Sequence, residues 1–382
     1  NIMRHHQYNK NFQFVKNPVD FNKNTDKELL QYCLGATLYM PGTKNILNKI
    51  LDKKLNDITS MVMCFEDSIQ EKDLPEAENN VLFHLDRIAE AINNNSISIG
   101  DVPLIFVRVR NTQQFDKFSD RLTAIQARIL SGFVFPKFSS NNAKEYLKRL
   151  DNLGKKHNVL LYGMPILEGK NIAYQETRKE ELIEIKKILN PYKNLILNIR
   201  VGGTDISSLF GVRRGINYSI YDILTVRDCL SDVLNFFSRA EDDYLVSAPV
   251  WEYFLAYKDD DIKNLIEKDI HKSLMNRTPI LNDAIDGLLR EVIIDKANGF
   301  VGKTIIHPSH ARFVNALQAV TEEEYEDALQ VLNTSGGVIK SKKSNKMNEI
   351  NPHKSWAIKI TYRAQAYGVI ENDLSYLKLI SC

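Results

Sequence analysis

Two stretches, Leu104-Ile-Phe-Val-Arg-Val-Arg-Asn111 and Gly132-Phe-Val-Phe-Pro-Lys137, decide the fold. Each is a short β-prone apolar run that stops abruptly in charged or polar residues. The apolar positions are consecutive rather than alternating, as a parallel strand covered on both faces requires. Working outward, the same rhythm recurs. Upstream lie Ala36–Met40 (ATLYM) and Met61–Cys64 (MVMC). Downstream, a strand falls within Leu160–Ile166, followed by Leu195–Arg200, Tyr244–Ala248 and Phe300–Ile306. Helical periodicity fills segments between them, including Lys144–Leu153, Thr177–Leu189, Ile220–Phe237 and Ile262–His271. Eight strands alternating with helices predict an α/β fold of the TIM (β/α)8-barrel type, with an open doubly wound sheet as the alternative.

The pattern predicts one domain over residues 1–382: an N-terminal arm (1–34), the barrel (35–320) and a C-terminal extension of helices and a loop (321–382). Phe12, Phe14 and Phe21 are expected to pack the arm onto the body; the pair His5-His6 within it is given no role. Thr321–Leu332 reads as a helix with Thr321 as N-cap and Glu322, Glu323 and Glu324 in its first turn. A Lys/Ser/Asn-rich loop then runs to Asn351, and a final helix, Trp356–Tyr367, closes the chain.

Composition narrows the function classes. With 43% hydrophobic residues over 382 positions, the chain can bury a large core. A formal net charge of +2 points to neither nucleic acid nor an anionic membrane. No apolar run reaches membrane-span length, and Asn1-Ile-Met-Arg-His-His has no apolar signal core. Cys33, Cys64, Cys229 and Cys382 are widely spaced, which argues against a zinc site or disulfide framework and predicts a cytoplasmic, reducing environment.

The chemistry lies in the residues immediately after each strand: Pro41-Gly42-Thr43, Glu66-Asp67, Arg108-Val-Arg110-Asn111, Pro136-Lys137, Glu168, Gly202-Gly203-Thr204-Asp205, Pro249-Val-Trp251-Glu252 and His307-Pro308-Ser309. In a barrel these positions converge on one rim, where active sites lie. Glu168 and Asp205 come after adjacent strands and are suited to share a hard divalent ion, Mg2+ or Mn2+, since no Cys or His accompanies them. The alternative is two helix caps or solvated carboxylates. Arg108 ends an apolar strand, so its guanidinium needs an anion: Glu66 or Asp67 as a structural pair, a substrate carboxylate, or both. Lys137 suits similar electrostatic work or a rim ion pair. Gly202-Gly203 permits close backbone approach to a ligand, or a tight turn. Arg213, Arg214 and Lys303 are candidates for a phosphate or carboxylate site.

Taken in order, Tyr39-Met-Pro-Gly-Thr-Lys, Cys64-Phe-Glu-Asp-Ser, Val107-Arg-Val, Phe135-Pro-Lys, Pro165-Ile-Leu-Glu, Gly203-Thr-Asp and Ile306-His-Pro-Ser resemble the HpcH/HpaI aldolase and citrate lyase β-subunit superfamily. Gly202–Arg214 (GGTDISSLFGVRR) and Pro249–Phe254 (PVWEYF) are similar to its branch of C–C bond lyases of the TIM-barrel fold. The resemblance implies Mg2+ on Glu168 and Asp205, a substrate carboxylate on Arg108, and Glu66 and Asp67 orienting that arginine and metal-bound water. It implies Gly42 in a substrate loop and a homo-oligomer, with a trimer as the form that family analogy suggests. Departures are equally visible. Thr204 stands where the family usually has Glu, no coenzyme A or acyl-carrier segment is recognisable, and the C-terminal segment is rewritten around Lys346, Asn348, Glu349 and His353.

These readings together predict a retro-aldol or retro-Claisen lyase acting on a small keto- or hydroxy-carboxylate, bound by Arg108, Lys137, Gly42, Gly203 and Thr204. Glu252, His307 and Glu349 are the candidate general acids or bases. A Schiff-base aldolase on Lys137 leaves the two carboxylates without a task. Two rivals stand beside this reading: a phosphoenolpyruvate or phosphonate enzyme using Arg213, Arg214 and Lys303, and a non-catalytic ligand-binding barrel in a stress pathway.

Overall fold

The computed structural model describes residues 3–240, 244–263, 268–334, 338–340 and 347–381, of which 338–340 and 347–351 are described by their backbone alone. Eight parallel strands close into one barrel in sequential order. They are β1 (Ala36–Pro41), β2 (Ser60–Cys64), β3 (Leu104–Arg108), β4 (Gly132–Phe135), β5 (Tyr162–Leu167), β6 (Ile199–Val201), β7 (Val246–Trp251) and β8 (Lys303–Ile305). Closure is made by β1 against β8, with Ala36 opposite Lys303 and Leu38 opposite Ile305. β2, β4 and β5 are buried at every position, as their unbroken apolar runs require. The open-sheet alternative is excluded by the closed order.

Each of the eight runs contributes a strand, the eighth over Lys303–Ile305 only. The sixth is shorter than expected. Asn190–Leu195 is a 3-10 turn opened by Pro191, and only Ile199–Val201 pairs with β5 and β7. Helices cover the barrel with one apolar face. Leu74–Asn93, for instance, buries Ala77, Val81, Leu85, Ile88 and Ala91, spaced by three or four residues. Ile262–His271 is not one helix: Asp259–Lys263 and Ile270–Met275 are separate, and the Asp269 carboxylate caps the second by accepting from the Lys272 amide at 3.1 Å. The local pattern predicted helicity but missed this capping stop.

Thr321 caps Glu322–Asn333 as expected, its hydroxyl accepting from the Glu324 amide at 3.3 Å. That helix packs on Ile350–Tyr367 through Val331, Ala328, Ala357, Ile360 and Ala364. A further helix, Ser375–Ile380, comes next, so Trp356–Tyr367 is not the last element. The arm packs as its phenylalanines predicted: Phe21 is buried and Phe12 and Phe14 lie against the core. His5 and His6 do more than expected. Both are buried, and their Nε2 atoms reach the carbonyls of Cys33 at 2.8 Å and Tyr367 at 2.9 Å. No helix among the described residues is long and apolar enough to cross a membrane.

Candidate active site at the barrel mouth

The turn after β5 delivers Glu168, which is 5% exposed. The turn after β6 runs straight into a helix, Gly203–Leu209, that carries Asp205 in its first turn. The two carboxyl groups are within hydrogen-bonding reach of one another. Burial, then this contact and the charge of Asp205, push the Glu168 carboxyl well above the usual carboxylate range. Two like groups held together need either a shared proton or a cation between them, so the pair fits a divalent ion. Among the described residues, no group of three or more His, Cys, Asp or Glu side chains is arranged to hold a metal. A hard ion here would therefore complete its shell with water and substrate oxygens.

Two backbone features hold Glu168 in place. Lys137 has a left-handed φ of 48° after Pro136, and its amide donates to Glu168 Oε1 at 2.9 Å. A non-glycine residue in that conformation marks a turn held by its surroundings. The second feature is Gly202. A Cβ on it would lie 2.7 Å from Glu168 Cβ and closer still to its carboxylate, so the carboxylate lies where any other side chain would begin. Gly203, by contrast, is buried against Pro249 and Ile220.

Arg108, at the end of β3, is bound by Glu66 and by Asp67, the latter at 2.9 Å. Burial alone would lower its pKa, but Cys64, Glu66, Tyr39 and Glu168 outweigh it and keep the guanidinium charged. Lys137 Nζ lies 3.5 Å from Glu66. Burial raises the Glu66 pKa and Asp67 adds to the rise, against the opposing pull of Arg108. Arg110 ties the Glu66-Asp67 turn down by donating to the carbonyls of Phe65 at 3.2 Å and Ile69 at 3.0 Å. Gly42 is buried on Cys64 and Phe65, and its carbonyl accepts from Asn80 at 2.7 Å. The structure thus gathers Glu66, Asp67, Arg108, Lys137, Glu168 and Asp205 at one end of the barrel.

Other expected residues sit elsewhere or are already engaged. Thr204 is exposed and donates to Glu252 at 2.8 Å, and Glu252 also binds Arg214. His307 stacks on Phe254 with ring centres 3.6 Å apart. The side chain of Glu349, and all of Lys346, lie outside the described residues. The proposed phosphate cluster does not form. Lys303 is wholly buried between β8 and the helix Asp283–Ala297, 2.8 Å from both Glu291 and Asp295. Arg214 is buried on Glu291 and Glu252, while Arg213 is exposed. Arg214 and Lys303 are neutralised by carboxylates inside the wall, and buried cations so paired have no unmet need for a phosphate.

Sequence reading passed over Arg200. It lies in β6, in register with Ile166 and Ser247, and is 1% exposed. The signal was present: a charge in an apolar strand, at the same period-two parity as Asn198 and Gly202. A cavity of about 710 Å3 lies at the opposite end, between the arm and the segments preceding β2 and β3. It contains none of the six residues gathered at the mouth.

Comparison with known proteins agrees with this architecture. No curated protein is significantly similar in sequence. A citrate lyase from Burkholderia xenovorans LB400 shares the fold, with a TM-score of 0.56 at 13% identity over 90% of this chain and 96% of that one. The CitE protein of Mycobacterium tuberculosis, in complex with magnesium, acetoacetate and coenzyme A, aligns with a TM-score of 0.49 at 16% identity, covering 87% of this chain and 99% of that one. The model of the C–C bond lyases of the TIM-barrel fold matches residues 28–369. Spanning the chain from the helix Lys27–Cys33 to the strand Val369–Ile370, this match shows that the chain belongs to that family.

Proposed function

We propose that this chain is a divalent-metal-dependent carbon–carbon lyase or aldolase acting on a small keto- or hydroxy-carboxylate. The observation that carries the reading is the contact between the buried Glu168 carboxyl and the half-buried Asp205 carboxyl, close to a guanidinium. Those two carboxylates would hold Mg2+ or Mn2+, which supplies Lewis-acid polarisation of a substrate oxygen when bound. Arg108, kept rigid by Glu66 and Asp67, binds the substrate carboxylate and faces charge that develops on the carbonyl oxygen as the bond breaks. In a retro-aldol step a base removes the hydroxyl proton. The bonding pair then moves toward the carbonyl, and an acid returns a proton to carbon. His307 and Glu252 stand on the rim for this work, though Glu252 is already held by Thr204 and Arg214. Lys137 Nζ, 3.5 Å from Glu66, opposes the rise that burial imposes on that carboxyl, while its amide orients Glu168. A homo-oligomer, trimeric by family analogy, completes the reading and is measured by light scattering.

The test is Glu168→Gln. The amide oxygen of Gln can still accept from the Lys137 amide, and the abutting carboxylates are relieved of repulsion. Calorimetric Mg2+ binding should vanish while the apo-protein's melting temperature holds or rises. Unchanged Mg2+ affinity, or a marked fall in stability, overturns the assignment.

A further inference from the structure

Arg200 is a buried cation that lacks a counter-ion. Its guanidinium donates to Thr304 Oγ1 at 2.7 Å and, weakly, to Ser247 Oγ at 3.3 Å. Its Nε has no partner. Ser247 Oγ is also committed elsewhere: it donates to the Val301 carbonyl at 2.9 Å and accepts from Asn198. Among the described residues no carboxylate lies within 4.0 Å of the Arg200 nitrogens. Other buried cations are treated differently. Arg178 has Asp232 at 2.8 Å, Arg214 has Glu291, and Lys303 has two carboxylates. Lys23 and Lys296 are turned onto backbone carbonyls. Taking a charge out of water without compensation is costly, so an isolated guanidinium inside a barrel calls for an anion from outside.

The position of Arg200 indicates which anion. Its guanidinium carbon lies 5.7 Å from the centre of the Tyr39 ring, and that of Arg108 lies 5.7 Å from the same ring. Tyr39 and Thr304 are both half-buried, so the end of Arg200 that reaches them borders the mouth. Arg108 already answers to Glu66 and Asp67, whereas Arg200 answers to neither. We propose that Arg200 binds a second anionic group of the substrate, so that the mouth takes a dicarboxylate: one end at Arg108 and the carboxylate pair, the other at Arg200 below the Tyr39 ring. This rests on the mouth being the active site, as proposed above.

The experiment titrates the full-length protein with L-malate and with lactate, which differ only in the second carboxylate, in the presence and absence of Mg2+. Wild type should bind malate at least about tenfold more tightly than lactate. Arg200→Gln should lose about tenfold or more for malate and stay within about twofold for lactate, with the melting temperature unchanged or raised. Equal wild-type affinities, or an Arg200→Gln variant that weakens both acids alike or neither, overturn the proposal. If that variant does not fold, Arg200→Lys and the wild-type preference decide the matter by the same criteria. The two readings fail differently. Binding that needs no Mg2+ and ignores Glu168→Gln defeats the metal-site reading, whereas loss of the malate preference defeats the role of Arg200.

Discussion

Substituting Gly202 by alanine tests the candidate site without replacing any charged group. The backbone at Gly202 has φ −90° and ψ 79°, which an L-residue can adopt, so the perturbation is steric. The new methyl would lie 2.7 Å from Glu168 Cβ and 3.2 Å from its Cδ. Carbon atoms prefer separations of about 3.5–4.0 Å, so Glu168 must retreat by roughly 1 Å. Overpacking of this kind costs about 1–3 kcal/mol. A further loss of about 1 kcal/mol follows if the bond from the Lys137 amide is broken. A hard cation is far less tolerant, because a ligand displaced by about half its bond length no longer binds; affinity should fall about 100-fold. Gly203→Ala is the control, since its methyl would meet Pro249 at 2.9 Å and not a carboxylate. Urea unfolding and Mg2+ calorimetry on both variants separate the effects. Similar destabilisation with cation affinity lost only in Gly202→Ala is expected; wild-type Mg2+ binding by Gly202→Ala would refute the reasoning.

Two further outcomes concern groups outside the mouth. Lys303→Met should destabilise by about 3–5 kcal/mol, because Glu291 and Asp295 are left buried with their shared cation gone; urea unfolding reads the loss, and adding Asp295→Asn should recover part of it. Stability should also fall between pH 7 and pH 5. Burial holds His5 at about 3 and His6 at about 4, with the charge of His6 adding to the depression of His5. The unfolded chain therefore binds protons first as pH drops below about 6.5, and stability declines by up to about 2 kcal/mol per histidine at pH 5. Thermal melts of wild type against the His5→Gln, His6→Gln double variant measure this, and identical pH slopes would contradict it.

The eight-fold alternation was legible because parallel strands in a barrel are buried on both faces, so consecutive apolar residues mark them directly. The same logic made Glu66, Arg108, Glu168 and Asp205 visible: a polar residue ending an apolar strand stands at the rim whatever its neighbours do. The three residues Arg213, Arg214 and Lys303 looked like one basic cluster because composition carries no direction. Lys303 and Arg214 point into the wall, where the helix Asp283–Ala297, which lies between them in the chain, offers Glu291 to both and Asp295 to Lys303. The break at Asp269 was missed because its cap is a single hydrogen bond set against a continuous helical pattern.

Local physics, then, was enough for which residues form strands, which come directly after them and what chemistry those residues can offer. What it could not supply is pairing across the barrel. That Gly202 rather than Gly203 lies on Glu168, that the Lys137 amide as well as its amine serves the site, and that Arg200 is left without a carboxylate depend on which strand ends face one another. These are distances between residues remote in the chain, and only closure of the sheet determines them.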